Sequence, residues 1–320
     1  APIALDFKAL DEVIRQRLAS KVALIDQIST YIIQAGGKRV RPALLMLTAK
    51  SLANGKETPH ILEMSAVVEF IHTATLLHDD VVDESTLRRG RETANAAFGN
   101  AASVLVGDFL YSRAFQMMVG PNDLRVMQIL SDATNTIAEG EVLQLLNMND
   151  PEVDEASYLQ VIRYKTAKLF EASTELGAIL ANATDAQREQ AAAYGRHIGT
   201  AFQLMDDLLD YTANAAQMGK NAGDDLREGK PTLPLIYLLE NGTNEERLLV
   251  RAAIEQNQDL PDDVFAQILA AVQNSGALDY TQAAAKREAD LALSYLKGFP
   301  ANPASQALEA LCAYSLTRQT

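Results

Sequence analysis

The chain has 320 residues, 48% of them hydrophobic, and carries 42 acidic against 28 basic side chains for a net charge of −14. That length suffices for one large domain or two ordinary ones, and the composition is that of a folded chain with a sizeable core. The acidic balance excludes a general nucleic-acid binder, which needs clustered Lys and Arg against phosphate, and the single cysteine, Cys312, excludes an internal disulfide or a Cys-rich metal site.

Residues 1–10 hold no basic segment followed by an apolar run, so no signal peptide is expected. No apolar stretch reaches the roughly 18 residues that a membrane span requires, and a reducing cytoplasm is the expected location. The hydrophobic period is helical. Ile61, Leu62, Val68, Ile71, Leu76 and Val82 recur at three- and four-residue steps, which predicts a helix capped by Thr58, with Pro59 in its first turn and Gly90 beyond its end. Later segments are rich in the strong helix formers Ala, Leu, Glu, Gln and Met. Breaks are expected at 53–55, 120–122, 149–151, 219–229, 242–244 and 299–300, where Gly, Pro and Asn gather. Sustained period-two runs of β-branched residues are absent, so no sheet is expected. The prediction is a single all-α domain over residues 1–320, a large helical bundle of ten or more helices.

Two segments carry the chemistry. In Leu76-Leu77-His78-Asp79-Asp80-Val81-Val82-Asp83, Asp79 and Asp83 stand one helical turn apart on one face. Carboxylates so close, behind an apolar stretch, repel each other unless a cation sits between them. Oxygen ligands of this kind suit Mg²⁺, which completes its octahedron with waters and substrate phosphate. Phe202-Gln203-Leu204-Met205-Asp206-Asp207-Leu208-Leu209-Asp210 repeats the arrangement. A lone acidic cluster is more often a solvated helix face, but two copies embedded in core-like residues argue against that reading. Arg88-Arg89-Gly90-Arg91, Gly36-Gly37-Lys38-Arg39-Val40-Arg41-Pro42, Lys165-Thr166, Lys168, Lys220 and Lys230 supply cations beside glycines or acidic clusters, as grips on phosphate oxygens would require.

These motifs resemble the trans-isoprenyl diphosphate synthases, which join isoprenoid units head to tail. The likeness spans nearly the whole chain and is strongest from Tyr31 to Leu239. It rests on Gly-Gly-Lys-Arg-x-Arg-Pro at 36–42, Asp-Asp-x-x-Asp with Arg-Arg-Gly at 79–90, and Lys-Thr at 165–166. Gln-x-x-Asp-Asp-x-x-Asp at 203–210 and Gly-Lys-Asn-Ala-Gly-Asp-Asp-Leu-Arg-Glu-Gly-Lys-Pro-Thr at 219–232 complete it. The resemblance implies an isoprenoid-synthase bundle around a central cavity. It makes Asp79, Asp83 and Asp206 the ligands of Mg²⁺, three ions per site with Mn²⁺ able to substitute, and Asp80, Asp207 and Asp210 their supports.

It further implies that Arg88, Lys165, Lys220 and Lys230 hold an allylic diphosphate, and that Lys38, Arg41, His72 and Arg89 hold isopentenyl diphosphate. Thr166 and Gln203 would face the reacting allylic carbons, and Asp225 would sit in a loop over the site. His72 and His78, read without the family, are packed helix histidines; the resemblance moves only His72 to diphosphate binding. Ala74, Thr75 and Ile71, one and two turns before Asp79, would line a product tunnel. The small side chains at 74 and 75 leave that tunnel open, so a product near eight isoprene units, an octaprenyl diphosphate for quinone side chains, is expected from a farnesyl starter. Phe109, Phe115, Met118 and Met127 are candidates for its floor. A homodimer without a membrane anchor is the family expectation. A terpene cyclase is disfavoured by the full second Asp-Asp-x-x-Asp, and a non-catalytic partner subunit by the presence of all six aspartates.

Overall fold

The computed structural model describes residues 2–34, 36–88, 90–212, 223–256 and 260–317. Arg89 and Lys220, both assigned to diphosphate binding above, lie outside the described residues. The described chain is helical: α1 Ala4–Leu18, α2 Ala23–Gln34, α3 Val40–Ala53, α4 Ile61–Val82, α5 Ala94–Phe98, α6 Asn100–Met118, α7 Leu124–Asn147 and α8 Glu155–Ile162. A π-turn, Arg163–Ala167, joins α8 to α9 Lys168–Leu180. Then follow α10 Asp185–Thr212, α11 Asp224–Arg227, α12 Leu233–Asn241, α13 Asn244–Gln256, α14 Asp262–Asn274, α15 Ala277–Tyr295 and α16 Pro303–Thr317.

Two local expectations are corrected. The helix read from Thr58 begins at Ile61, because His60 takes a left-handed conformation (φ 64°) that no helix can pass through, so Thr58 and Pro59 precede it. A small ladder exists where no sheet was expected: β1 Leu87–Arg88 pairs antiparallel with β2 Arg91–Glu92, Leu87 opposite Glu92 and Arg88 opposite Arg91. Gly90, at φ 73°, supplies the left-handed turn between them.

The helices gather into two compact units. Unit 1 comprises residues 1–134, 169–195 and 295–310. Its central helix is α4, buried on most sides at Met64, Val67, Val68, Phe70, Ile71, Ala74 and Leu77 and packed against α1, α3 and α6. A helix apolar around most of its circumference has to sit inside others. Glycines allow the closest approaches. A Cβ on Gly107 of α6 would lie 2.3 Å from His78 Nε2, and one on Gly195 would lie 2.6 Å from the Phe170 carbonyl oxygen of α9. His78 fills its notch, with Nε2 3.1 Å from the Val104 carbonyl oxygen, so it is a packing residue, as the residues alone suggested.

Unit 2 comprises residues 135–168, 196–294 and 311–320. In its first core cluster, Leu204, Met205, Leu208 and Leu209 of α10 pack with Tyr158, Ile162, Leu233 and Ile236. In the second, Tyr211, Leu226, Leu235 and Leu238 pack with Val250, Ile254, Ile268 and Val272. The three- and four-residue steps of the α10 set are those of a helix face turned to a core.

Gly195→Ala tests the packing of unit 1. The change gains about 1 kcal/mol of helix propensity, yet it drives a methyl to 2.2 Å from the Thr174 hydroxyl and 2.6 Å from the Phe170 carbonyl oxygen. A net loss of about 1–3 kcal/mol is expected in urea unfolding. An unchanged or higher midpoint would contradict the close approach.

Candidate active site

The first acidic segment closes α4. Asp79 and Asp80 occupy its last turn and Asp83 is its C-cap, with the Asp83 backbone N–H donating to the Asp79 carbonyl at 2.8 Å. The three carboxylates therefore sit at the negative end of the helix dipole, which raises the cost of their charge. Asp80 pairs inward: 4% exposed, it accepts from Arg88 Nη2 at 2.7 Å and from Arg88 Nε at 3.0 Å. Burial alone lowers the Arg88 pKa. The hydrogen bond and charge of Asp80 outweigh that, with Asp79 and Asp83 adding, so the guanidinium is held above its ordinary value.

Arg88 reaches back because β1 and β2 fold the chain over the helix end, and several bonds secure the fold. The Ser85 N–H donates to the Asp80 carbonyl at 2.9 Å, Asn95 Nδ2 to the same carbonyl at 3.1 Å, and Thr93 Oγ1 to the Ser85 carbonyl at 2.7 Å. Asp79 and Asp83 remain half-exposed.

Three isopentenyl-site expectations fall in unit 1. Lys38 is exposed, just before α3. The Arg41 guanidinium lies over the Phe170 ring, 4.7 Å from its centroid. His72 lies along α4 and, with Gly36 and Arg88, lines a cavity of about 110 Å³ whose inner wall includes Ile14, Phe70 and Leu110. The chain-length positions lie elsewhere on α4: Ile71, Ala74 and Thr75 do not line that cavity. Ile71 and Ala74 are fully buried. Thr75 Oγ1 donates to the His72 carbonyl at 2.6 Å, which leaves its methyl as the free branch of the side chain.

The second acidic segment, in unit 2, repeats the inward turn with different partners. Asp207 is 4% exposed and takes Gln203 Nε2 at 2.8 Å and the Tyr158 hydroxyl. Burial, with the Asp225 charge next in effect, pushes Asp207 up to about 8 against the hydrogen bonds of Tyr158 and Gln203. Burial likewise raises Tyr158 well above its ordinary value, with Asp207 next in effect. Asp210, also buried, accepts the Asp225 N–H at 3.2 Å, and its carbonyl accepts the Gly223 N–H at 2.8 Å. Asp210 thus pins the segment leading to Lys230, whose Nζ pairs with Glu228 at 2.6 Å. Asp206 alone of the three is half-exposed.

Lys165 and Thr166 lie on the π-turn. Gly140 of α7 admits it, for a Cβ there would stand 2.7 Å from the Lys165 backbone nitrogen. Lys165 Nζ reaches Gln144 at 2.7 Å and Glu141 at 2.8 Å on α7. Thr166 Oγ1 donates to Gln203 Oε1 at 3.1 Å. A continuous chain of hydrogen bonds therefore runs Thr166–Gln203–Asp207–Tyr158, and it fixes the Gln203 amide at both ends.

In both motifs the second carboxylate is committed to protein donors, and the first stands half in water. Within neither unit do three His, Cys, Asp or Glu side chains of the described residues converge as a ready-made metal site. The donor chemistry fits Mg²⁺: Asp79, Asp83 and Asp206 offer hard oxygen ligands, and the first two crowd a helix terminus that a cation would relieve.

The residues from 22 to 272 match the polyprenyl synthetase family. The octaprenyl diphosphate synthase of Escherichia coli is 50% identical over 315 residues, covering 98% of this chain and 96% of that one. The all-trans-nonaprenyl-diphosphate synthase (geranyl-diphosphate specific) of Rhodobacter capsulatus is 46% identical, covering 99% of this chain and 96% of that one. A polyprenyl synthase from Caulobacter crescentus, solved with calcium and isoprenyl diphosphate, superposes with a TM-score of 0.95 at 44% identity, covering 99% of this chain and 96% of that one. The chain belongs to the polyprenyl synthetase family: it has the all-α isoprenoid synthase fold and is a trans-polyprenyl diphosphate synthase, a prenyltransferase. Magnesium dependence is typical of that family.

Sequence reading did not find Tyr158, Gln144, Glu141 or Gly140, which lack any motif and meet their partners only in the folded chain. Two variants probe these contacts. Gly140→Ala should displace the π-turn and lower turnover about tenfold or more, with helix content unchanged by circular dichroism. Asp80→Ala strips Arg88 of its partner and should cost about 1–3 kcal/mol in chemical unfolding; equal stability to the parent would deny Asp80 its structural part.

Proposed function

We propose that this chain extends an allylic diphosphate, farnesyl diphosphate, with successive isopentenyl diphosphates to an all-trans product of about eight units, an octaprenyl diphosphate for quinone side chains. The observation that carries the chemistry is the Thr166–Gln203–Asp207–Tyr158 chain. The Thr166 proton is committed to Gln203, so the lone pairs of its oxygen are what it offers a neighbouring carbocation. Asp79, Asp83 and Asp206 would hold three Mg²⁺, replaceable by Mn²⁺, whose charge would stabilise the departing diphosphate. The calcium and isoprenyl diphosphate of the Caulobacter protein support a divalent cation beside a prenyl diphosphate in this fold.

The remaining roles follow the family pattern. Arg88, Lys165, Lys220 and Lys230 hold the allylic diphosphate; Lys38, Arg41, His72 and Arg89 hold the isopentenyl one. The allylic carbon–oxygen bond breaks with its electron pair going to pyrophosphate, and the isopentenyl double bond supplies the pair for the new carbon–carbon bond. A proton then leaves to the released pyrophosphate, so no side-chain base is needed. Holding both partners side by side supplies the proximity, and the apolar interior keeps water from quenching the cation.

Product length is read from Ile71, Ala74 and Thr75, of which the small Ala74 and Thr75 leave the tunnel open. The octaprenyl assignment is supported by the Escherichia coli relative, while the nonaprenyl relative marks the range within which the length lies. The chain is read as a single all-α prenyl diphosphate synthase domain over residues 1–320. A homodimer is supported by Val104, Leu105 and Phe115 of α6 and the adjoining Val119, all exposed within about 100° of arc. No helix of the described residues is long and apolar enough to cross a membrane, and the proposed location is the cytoplasm.

Incubation with farnesyl diphosphate, labelled isopentenyl diphosphate and Mg²⁺ should give linear products near eight units by chromatography. A cyclic hydrocarbon would overturn the reading. Chelation should abolish turnover, and added Mg²⁺ should restore it. Thr75→Phe should shorten the product by several units, and an unchanged length distribution would remove the tunnel from that face of α4.

A further inference from the structure

Arg163, Glu288 and His197 form a cluster in unit 2 that no role above uses. Glu288 of α15 is buried to 13% exposure and spends its two oxygens on different elements. Oε1 takes Arg163 Nη2 at 3.2 Å, at the start of the π-turn. Oε2 lies 2.6 Å from His197 Nδ1 on α10. We propose that Glu288 is a positioning residue for the allylic half of the reaction, clamping the π-turn that carries Lys165 and Thr166 to the helix that carries Gln203 and Asp206. The inference rests on the allylic reading of Lys165 and Thr166 given above.

A π-turn inserts a residue into the helical ladder and survives where tertiary contacts hold it. Three such contacts are present. Gly140 leaves room for its backbone, Glu141 and Gln144 take Lys165, and Glu288 takes Arg163. The third is distinct because it closes a circuit. From Arg163 the path runs through Glu288 to His197, then along α10 for six residues, about 9 Å, to Gln203. It returns through the Thr166 hydroxyl to the π-turn.

The turn is thus fixed to α10 at two separated points, and a segment so held cannot slide or rotate along that helix. The charge balance is favourable as well. Burial pushes the Glu288 carboxyl up, yet the hydrogen bond and charge of His197 and Arg163 outweigh burial and hold it below the usual range. By contrast, Lys286–Asp290 on the same helix spans only its own turn and is exposed at both ends, as surface pairs of little energetic weight are.

The two substrates separate the clamp from plain structural support. The residues read as isopentenyl ligands, Lys38, Arg41 and His72, take no part in the circuit. Glu288→Ala is therefore expected to raise the allylic KM about tenfold and to lower kcat to a similar degree, with the isopentenyl KM within about twofold. Glu288→Gln keeps the reach to both Arg163 and His197, and should recover most of the loss. Glu288→Asp keeps the charge but loses the reach, and should not recover it. Arg163→Met, at a side chain 42% exposed, breaks only the first link and should reproduce the allylic effect if Glu288→Ala proves too unstable to assay.

Lys165→Ala serves as the control for the underlying reading and should raise the allylic KM. If it does so while Glu288→Ala and Arg163→Met leave that KM within about twofold, the clamp is overturned and the allylic site stands. If Lys165→Ala leaves the allylic KM unchanged, the allylic assignment itself fails. Equal increases in both KM values for Glu288→Ala would also overturn the clamp, since they would report general loosening.

Discussion

A carboxylate withdrawn from water has to find donors, and much of the local structure around each acidic motif is the means of supplying them. Asp80 and Asp207 are equivalent in sequence and equally buried, yet they solve the problem differently. Asp80 receives a full counter-charge from Arg88, delivered by a hairpin folded back over the helix end. Asp207 receives only neutral donors, Gln203 and Tyr158, which do not offset burial and the Asp225 charge, so its proton affinity rises. Breaking either arrangement would strand a buried polar group, which costs more than the bond itself contributes.

The difference bears on chemistry. Under the roles proposed above, the donors that satisfy Asp207 also reach the reacting carbons: Gln203 is held by Asp207 on one side and orients Thr166 on the other. A buried carboxyl thus aligns a neutral hydroxyl two hydrogen bonds away. On the side of Asp80 the same demand draws a guanidinium to the foot of α4, where Asp79 and Asp83 already crowd the negative end of the helix dipole. One motif therefore gathers charge and the other gathers oriented dipoles.

Much of this was readable in the residues because helical period and motif spacing are local. The three-and-four spacing of Ile61 to Val82 and the paired aspartates lie on the helices expected of them. Local spacing fails where a conformation is decided from a distance. The π-turn at 163–167 has helix-forming residues, and only the missing side chain of Gly140, more than twenty positions away, lets it widen against α7. Glu288 and His197 are 91 positions apart, and neither stands in a motif. His60 shifts a helix start by adopting a left-handed backbone that its type does not announce. Gly90 reads in the sequence only as lying beyond a helix end, and the two residues of ladder on either side are too short to show any period.

The hairpin at 84–93 has a further bearing on how such a sequence can change over time. By secondary structure it is a surface loop, the kind of segment in which insertions and deletions ordinarily accumulate. Here Ser85, Arg88, Thr93 and Asn95 bond to Asp80 or to one another across the turn. Adding or removing a single residue between Ser85 and Arg88 would carry Arg88 to the opposite side of its strand and leave Asp80 buried without its counter-charge. Substitution at exposed Thr86 and Leu87 would therefore disturb the site less than a change in the loop's length.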